Sequence, residues 1–175
     1  MIGYIFFRVF IESLRLVPFW LLYRISDVLR FIIFKIVGYR KKVVYENLEK
    51  AFPEKSKEEI RKIANKFYRH FTDVLLETLK GYTMSKKSIL KRFKVINHEY
   101  LEKYFNEGKS ILCLGAHYAN WEYGTSIALH LPFETVTVYK AVKNKYLNKY
   151  MCKSRNRWGM KQISIEKTRV IFNRI

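Results

Sequence analysis

Beyond residue 92, short apolar runs alternate with stretches of helical spacing, and this alternation constrains the fold more than any other feature. Apolar, β-branched runs of this length predict strands, and the polar-capped stretches between them predict helices. The predicted strands are residues 93–96, 110–114, 135–139 and 162–165, and the predicted helices are residues 97–106, a helix that begins near Asn120, and residues 144–158. The sequence therefore predicts an α/β fold with a mixed sheet covered by helices.

Residues 41–81 carry the clearest helix signals. Residues 41–52 have amphipathic spacing and stop at Pro53, which predicts a short helix. Ser56 and Glu59 form the pattern of a capping box, in which the serine caps the Glu59 amide and the carboxylate reaches back. Apolar residues then recur at helical spacing until Gly81, a natural stop. We expect one long core helix between residues 56 and 81.

The first forty residues are apolar and aromatic but carry regularly spaced charges. These charges share a helical face in two groups on either side of Pro18: Arg8, Glu12 and Arg15, then Arg24, Asp27 and Arg30. The spacing predicts two amphipathic helices with a break at Pro18. The uncharged stretches are shorter than the ~20 residues of a membrane span, and the pattern of a signal peptide is absent.

The apolar faces of these helices have two interpretations. They pack on the rest of the protein, or they lie in a bilayer interface with aromatic rings at headgroup level. We favour membrane contact, because the segment has more large apolar surface than one domain needs. A tilted span is a further alternative, whose cytoplasmic end a basic cluster would mark: Lys35, Arg40, Lys41 and Lys42.

The chain of 175 residues has 34 Lys plus Arg against 15 Asp plus Glu, a net charge of +19. Such a charge attracts nucleic acid, an anionic membrane or an acidic protein. Because the basic residues are interleaved with aromatic and aliphatic ones, a membrane is favoured over nucleic acid. Cys113 and Cys152 lack zinc or redox spacing, so we expect no metal, cofactor or disulfide. Cys113, inside a predicted buried strand, is interpreted as an inert core thiol.

The strongest chemical signal is residues 115–122, Gly-Ala-His-Tyr-Ala-Asn-Trp-Glu, at the end of the predicted strand 110–114. Active sites of α/β proteins commonly lie at such strand ends. His117 suits a general base, and Glu122 would orient the imidazole and balance its charge. With no nucleophile serine and a buried Cys113, direct attack by an activated hydroxyl on an acyl donor is favoured. The structural alternative is that His117 caps a helix and Glu122 is a solvated acid.

Residues 115–122 resemble the His-x-x-Asn-Trp-Glu signature of the lipid A biosynthesis lauroyl and myristoyl acyltransferases, within the wider His-x4-acid glycerolipid acyltransferase superfamily. Three further stretches resemble segments of that family in the same order. They are Val43-Val44-Tyr45-Glu46-Asn47-Leu48 with Phe52-Pro53-Glu54, Val138-Tyr139-Lys140 followed by Asn144 and Leu147, and Arg155-Asn156-Arg157-Trp158-Gly159. The resemblance implies three segments: membrane-associated helices (1–40), a helical lead-in (41–92) and the N-terminal part of a glycerolipid acyltransferase-like α/β core (93–175).

The resemblance also implies a mechanism. His117 would deprotonate a hydroxyl of a lipid A precursor, Glu122 would orient His117, and acyl carrier protein would present the acyl group as a thioester. Arg155 would steady the developing oxyanion or a phosphate, unless it is only a solvated arginine on a basic helix. The expected substrate-binding residues are Asn120, Trp121, Tyr139, Asn144 and Arg157. The acidic carrier and the precursor phosphates both suit the net charge of +19, with the active site on the cytoplasmic side of a bacterial inner membrane.

The resemblance covers the N-terminal part of the family pattern, so we expect a sheet, and an acceptor site, that are incomplete at the C-terminus. Three alternatives stay open. The acceptor is another lipid, such as a phospholipid, an aminoacyl lipid or a glycolipid; the chain is a truncated, inactive fragment; or it is a basic module that binds membrane or nucleic acid. The last predicts that His117→Ala changes nothing whereas charge reversal abolishes function.

Overall fold

The computed structural model describes residues 2–168. Their helices are α1 (Ile2–Leu16), α2 (Phe19–Arg30), a π-helical segment (Phe31–Ile36), α3 (Lys41–Ala51), α4 (Lys57–Gly81), α5 (Lys86–Arg92), α6 (Glu99–Asn106), a 3-10 helix (Trp121–Leu129), α7 (Lys145–Asn156) and a 3-10 turn (Ile165–Lys167). The strands are β1 (Val136–Tyr139) and β2 (Lys161–Ser164). The described chain is mostly helical with a small parallel sheet, which is consistent with an α/β fold.

The chain divides into two compact units. One contains Met1–Arg15 with Lys80–Ile175, and the other contains Leu16–Leu79. The division into functional segments 1–40, 41–92 and 93–175 stays a prediction, and residues 169–175 of the third segment lie outside the described residues.

The two amphipathic helices at the N-terminus are confirmed, with Pro18 between them. In α1, Arg8 pairs with Glu12 at 3.4 Å, and in α2, Arg30 pairs with Asp27 at 3.6 Å. Within residues 2–168, no helix is both long enough and apolar enough to cross a membrane.

The unit Leu16–Leu79 is built on α4, whose capping box is confirmed. The Ser56 N–H donates to Glu59 Oε2 at 2.9 Å, and the Glu59 N–H donates to Ser56 Oγ at 3.3 Å. The core of this unit centres on the buried Tyr68, whose ring stacks on Phe34 with centroids 4.4 Å apart. Its hydroxyl donates to the Tyr39 carbonyl at 2.6 Å, which satisfies the one polar group of a buried phenol.

The other unit contains a β–α–β arrangement, in which α7 connects the parallel strands β1 and β2. Val136 of β1 is opposite Lys161 of β2. Helix α7 packs on α1 through two aromatic pairs, Tyr4 with Tyr146 and Phe7 with Tyr150, each with centroids 5.6 Å apart. These strands confirm the predictions for residues 135–139 and 162–165 to within one or two residues.

Two predicted strands are wrong. Residues 93–96 and 110–114 form no strand, and Leu112 and Leu114 are 85% and 92% exposed. Cys113 is exposed too, so its interpretation as a core thiol is also wrong. An apolar segment becomes a strand only when another strand pairs with its backbone N–H and C=O groups. Among residues 2–168, no strand pairs with residues 93–96 or 110–114.

Helix ends in this unit follow the sequence signals only in part. Asn144 caps α7 as expected, accepting from the N–H groups of Tyr146 and Leu147 at 3.0 and 3.2 Å. Gly108 follows α6 with φ +67°, a left-handed conformation that suits glycine. Asn97 also has a positive φ and caps no helix with its side chain, because His98 occupies the cap position.

Candidate active site

His117 lies in an exposed turn rather than at the end of a buried strand. The Tyr118 N–H donates to the Ala116 carbonyl at 2.8 Å, and Ala119 adopts a left-handed φ of 49°. A left-handed residue with a Cβ costs about 1 kcal/mol. The turn leads the chain into the 3-10 helix at Trp121, whose ring lies 4.9 Å from the exposed imidazole of His117.

Glu122 and Arg155 form a two-pronged ion pair. Arg155 Nε donates to Glu122 Oε1, and Arg155 Nη2 donates to Oε2 at 2.8 Å. The side chains are only 12% and 19% exposed, respectively. Burial acts to lower the pKa of the Arg155 guanidinium, but the hydrogen bonds and charge of Glu122 outweigh it and the pKa is raised. The arginine therefore stays charged.

The structure does not join His117 to Glu122. No hydrogen bond connects the two side chains among the described residues, and both carboxylate oxygens of Glu122 accept from Arg155. The acid and the base are five residues apart in sequence, and Ala119 between them adopts a left-handed φ.

Arg157 anchors the end of α4. Its Nη1 donates to the Tyr82 carbonyl at 2.7 Å, and its Nη2 donates to the Gly81 carbonyl. Ser154 Oγ also donates to the Tyr82 carbonyl, at 3.3 Å. A helix C-terminus presents unpaired carbonyls and partial negative charge, so a guanidinium stabilises it. The described contacts of Arg157 are thus structural.

Tyr82 lies beside the ion pair in a buried position. Burial, helped by the negative charge of Glu122, raises the pKa of the Tyr82 phenol to about 12. The phenol therefore stays neutral at physiological pH. Its ring meets Tyr150 of α7 edge to face, with centroids 5.9 Å apart.

The remaining predicted site residues have identifiable local contacts. The side-chain oxygen of Asn144 accepts the hydrogen bonds that cap α7. The Tyr139 hydroxyl accepts from Asn148 Nδ2 at 3.5 Å, and a hydrogen bond with Cys152 contributes most to raising its pKa. Trp121 is half exposed, and the Asn120 carbonyl accepts from the Tyr123 N–H at 3.1 Å.

Among residues 2–168, no group of three or more His, Cys, Asp or Glu side chains is arranged to hold a metal ion. What the geometry offers is an accessible imidazole, a fixed guanidinium and a carboxylate.

Comparison with known proteins decides the family. The family model for bacterial lipid A biosynthesis acyltransferase matches residues 2–173. The chain belongs to this family. A curated relative is the lipid A biosynthesis lauroyltransferase of Escherichia coli (strain K12), 29% identical over 107 residues. That match covers 61% of this chain and 35% of the relative, so it spans about a third of the relative's length. No solved structure matches the chain.

Within this acyltransferase family member, sequence reasoning missed the contacts that hold the site together. No motif indicated that Arg157 donates to the Tyr82 carbonyl, because the two residues are 75 positions apart in sequence. The available signal was Gly81, which marked a helix end whose carbonyls need donors. Gly81 also leaves room for Tyr123, since a Cβ there would lie 3.3 Å from the Tyr123 ring.

Proposed function

We propose that this chain carries the catalytic base of an acyltransferase that moves a fatty acyl group from acyl carrier protein to a hydroxyl of a lipid A precursor. The observation that carries the proposal is the accessible His117, whose ring lies 4.9 Å from the Trp121 ring and which precedes the 3-10 helix that contains Glu122, the partner of Arg155. A base must be reachable by its substrate, and this imidazole is exposed.

In the proposed reaction, His117 accepts the proton of the acceptor hydroxyl while the hydroxyl oxygen attacks the thioester carbonyl. The tetrahedral intermediate then collapses, a C–O ester bond remains, and the C–S bond breaks. The imidazolium returns its proton to the departing thiolate. The products are the acylated lipid and the free thiol of the carrier, and no acyl-enzyme forms.

Arg155 can serve this reaction while it stays paired with Glu122. A guanidinium has five N–H donors, and Arg155 uses one on Nε and one on Nη2 for the carboxylate. The donors on Nη1 remain for the developing oxyanion or for a phosphate of the acceptor.

Glu122 retains acceptor capacity as well. A carboxylate has about four lone-pair directions, and Arg155 occupies two of them. Because no hydrogen bond among residues 2–168 holds the His117 side chain, we propose that substrate binding turns the imidazole toward Glu122. The carboxylate would then stabilise the imidazolium as it forms.

We propose that the protein works at the cytoplasmic side of the bacterial inner membrane. Each unit presents exposed apolar side chains from its N-terminal helix: Phe6, Val9 and Phe10 on α1, and Trp20 and Val28 on α2. Large exposed apolar surface rimmed by basic residues suits a lipid interface.

The test is a mass spectrum of lipid A from a host that lacks its own late acyltransferase and expresses this chain. We expect a mass increase of one acyl group with the native protein and none with His117→Ala. His98→Ala is the matched control, because His98 is an exposed histidine whose side chain, within residues 2–168, pairs with Glu102 at 3.6 Å. That variant should keep the mass increase.

Other outcomes separate the alternatives. An unchanged mass increase in His117→Ala would refute the base assignment. No increase with folded native protein would refute the reaction for this chain and favour an inactive fragment. An acyl group found on a phospholipid, an aminoacyl lipid or a glycolipid instead would keep the chemistry and change the acceptor.

A further inference from the structure

Helix α7 carries a row of lysines that no acidic side chain balances. Lys145, Lys149 and Lys153 are spaced four residues apart, so they share one face, and all three are exposed. None of them takes part in an ion pair within residues 2–168. We call these three residues the lysine row.

The sequence around the lysine row is unusually one-sided. Residues 135–165 contain eight basic residues and no acidic one. By contrast, α1, α3 and α4 each place a glutamate four residues from a basic side chain: Arg8 with Glu12, Lys42 with Glu46, and Lys62 with Glu58. The missing compensation is therefore a property of α7 and not of the whole chain.

The lysine row works against the stability of its own helix. Like charges at this spacing repel, and Lys145 stands in the first turn, where the helix dipole disfavours a cation. That first turn contains no acidic residue. An acidic partner seated on the row would relieve both effects.

Side chains of α7 beside the lysine row contact other elements. Tyr146 and Tyr150 meet the aromatic rings of α1, and Arg155 reaches Glu122. These contacts fix the helix while its three lysines stay exposed, and one end of the helix carries the guanidinium of the proposed active site. A protein bound along the row would place its cargo near Arg155.

We propose that the lysine row is the docking surface for the acidic acyl carrier protein that delivers the thioester; this rests on the proposed function. Charge complementarity to an acidic protein surface carries the choice of partner. A lipid surface fits less well, because the large apolar side chain that α7 exposes is the single Tyr146, whereas α1 exposes Phe6, Val9 and Phe10. Lipid-binding helices combine both features on adjoining faces.

The experiment measures binding of fluorescently labelled acyl carrier protein, carrying an amide-linked acyl group that cannot be transferred, to the full chain. The variant combines Lys145→Glu, Lys149→Glu and Lys153→Glu. We expect its Kd to rise about tenfold or more, since each exposed charge pair contributes up to about 1 kcal/mol. Binding of the native protein should also weaken with added salt.

The matched control combines Lys50→Glu, Lys57→Glu and Lys66→Glu, three exposed lysines of α3 and α4. Both triple variants change the net charge from +19 to +13, because each reversal removes two charges. The control should bind the carrier like the native protein. Equal weakening in both variants would overturn the proposal, because total charge would then explain the binding.

Two further outcomes would also overturn it. One is no binding of the carrier by the native chain. The other is that the lysine-row variant keeps carrier binding but loses binding to vesicles of phosphatidylglycerol and phosphatidylethanolamine, which would make the row a lipid surface. Failure of the proposed function is seen separately, since binding needs no turnover. A native chain that binds through the row but acylates no lipid keeps the docking surface and loses the reaction.

Discussion

Helices α1 and α7 pack against each other through two aromatic pairs, yet their outward faces differ in kind. On α1, Arg8 is balanced by Glu12 and the exposed residues include Phe6 and Phe10. On α7, the lysine row is exposed and the helix itself contains no acidic residue.

The difference teaches that helical amphipathicity alone does not define a partner. Both helices are amphipathic, and the aromatic contacts between them contribute to the stability of each. They differ in the side chains that they expose. On α1, Arg8 pairs with Glu12 and apolar side chains are exposed, whereas α7 exposes lysines that have no ion-pair partner within residues 2–168. The first arrangement suits lipid and the second an acidic protein.

The largest expected effect comes from removing the ion pair between Arg155 of α7 and Glu122. Arg155→Met leaves the largely buried Glu122 without its partner, which should lower the free energy of unfolding by about 3 kcal/mol. Thermal unfolding followed by circular dichroism measures it. Adding Glu122→Gln should recover part of the loss, since a neutral amide tolerates burial better. If Arg155→Met unfolds like the native protein, the pair contributes no stability to this face.

The next effect concerns the outward face of α1. Phe6→Asp with Phe10→Asp should weaken binding to phosphatidylglycerol-containing vesicles about a hundredfold, because each phenylalanine contributes about 1.5 kcal/mol or more when buried. Vesicle co-sedimentation measures it.

The control for the α1 variant is Ile96→Asp with Tyr100→Asp, two exposed side chains far along the chain. It carries the same change in charge and should leave vesicle binding close to that of the native protein. Equal losses in both variants would mean that α1 has no special role at the lipid surface.

A smaller effect tests the strain in α7. Lys149→Glu converts two repulsive pairs, with Lys145 and Lys153, into attractive ones. The gain in the free energy of unfolding should be about 1 kcal/mol at low salt, with weaker carrier binding at the same time. Lys149→Gln should give about half of the gain. Loss of stability in Lys149→Glu would show that the row is not under repulsion.

The smallest expected effect concerns the first turn of α4. That turn contains Glu58 and Glu59, whereas the first turn of α7 contains Lys145 and no acidic residue. Hydrogen bonds from the Ser56 N–H and hydroxyl lower the pKa of Glu59 below its usual 4.5. This stabilisation is complete above pH 4.5 and is lost as pH falls through the lowered pKa. The melting-temperature difference between native protein and Glu59→Gln should therefore shrink in acid; a constant difference would contradict the capping role.

The helices were predictable wherever the signal was local. The Ser56–Glu59 box, the stop at Gly81, the break at Pro18 and the Asn144 cap all depend on contacts within a few residues. Helix α5 was missed, although Ser85 accepts from the Ser88 N–H at 3.2 Å at its start, because only seven residues follow. The strand predictions for residues 93–96 and 110–114 were wrong, because local sequence does not show whether a partner strand is available.

The candidate site was predictable as a set of residues and not as a set of contacts. Residues 115–122 and 155–157 stood out as motifs, but the sequence paired Glu122 with His117, and the structure pairs it with Arg155. Whether His117 acts as the base stays a prediction. Likewise, Arg157 was expected at the substrate, and its described contacts are with the end of α4.

The sequence by itself determined the helices with strong local signals, the family and the uncompensated charge of residues 135–165, because each is a property of nearby residues or of composition. Tertiary structure alone decided which carboxylate meets which guanidinium and which face of α7 stays exposed. Those choices depend on contacts between residues 33 to 143 positions apart, from Glu122 with Arg155 to Phe7 with Tyr150, whose geometry follows from packing.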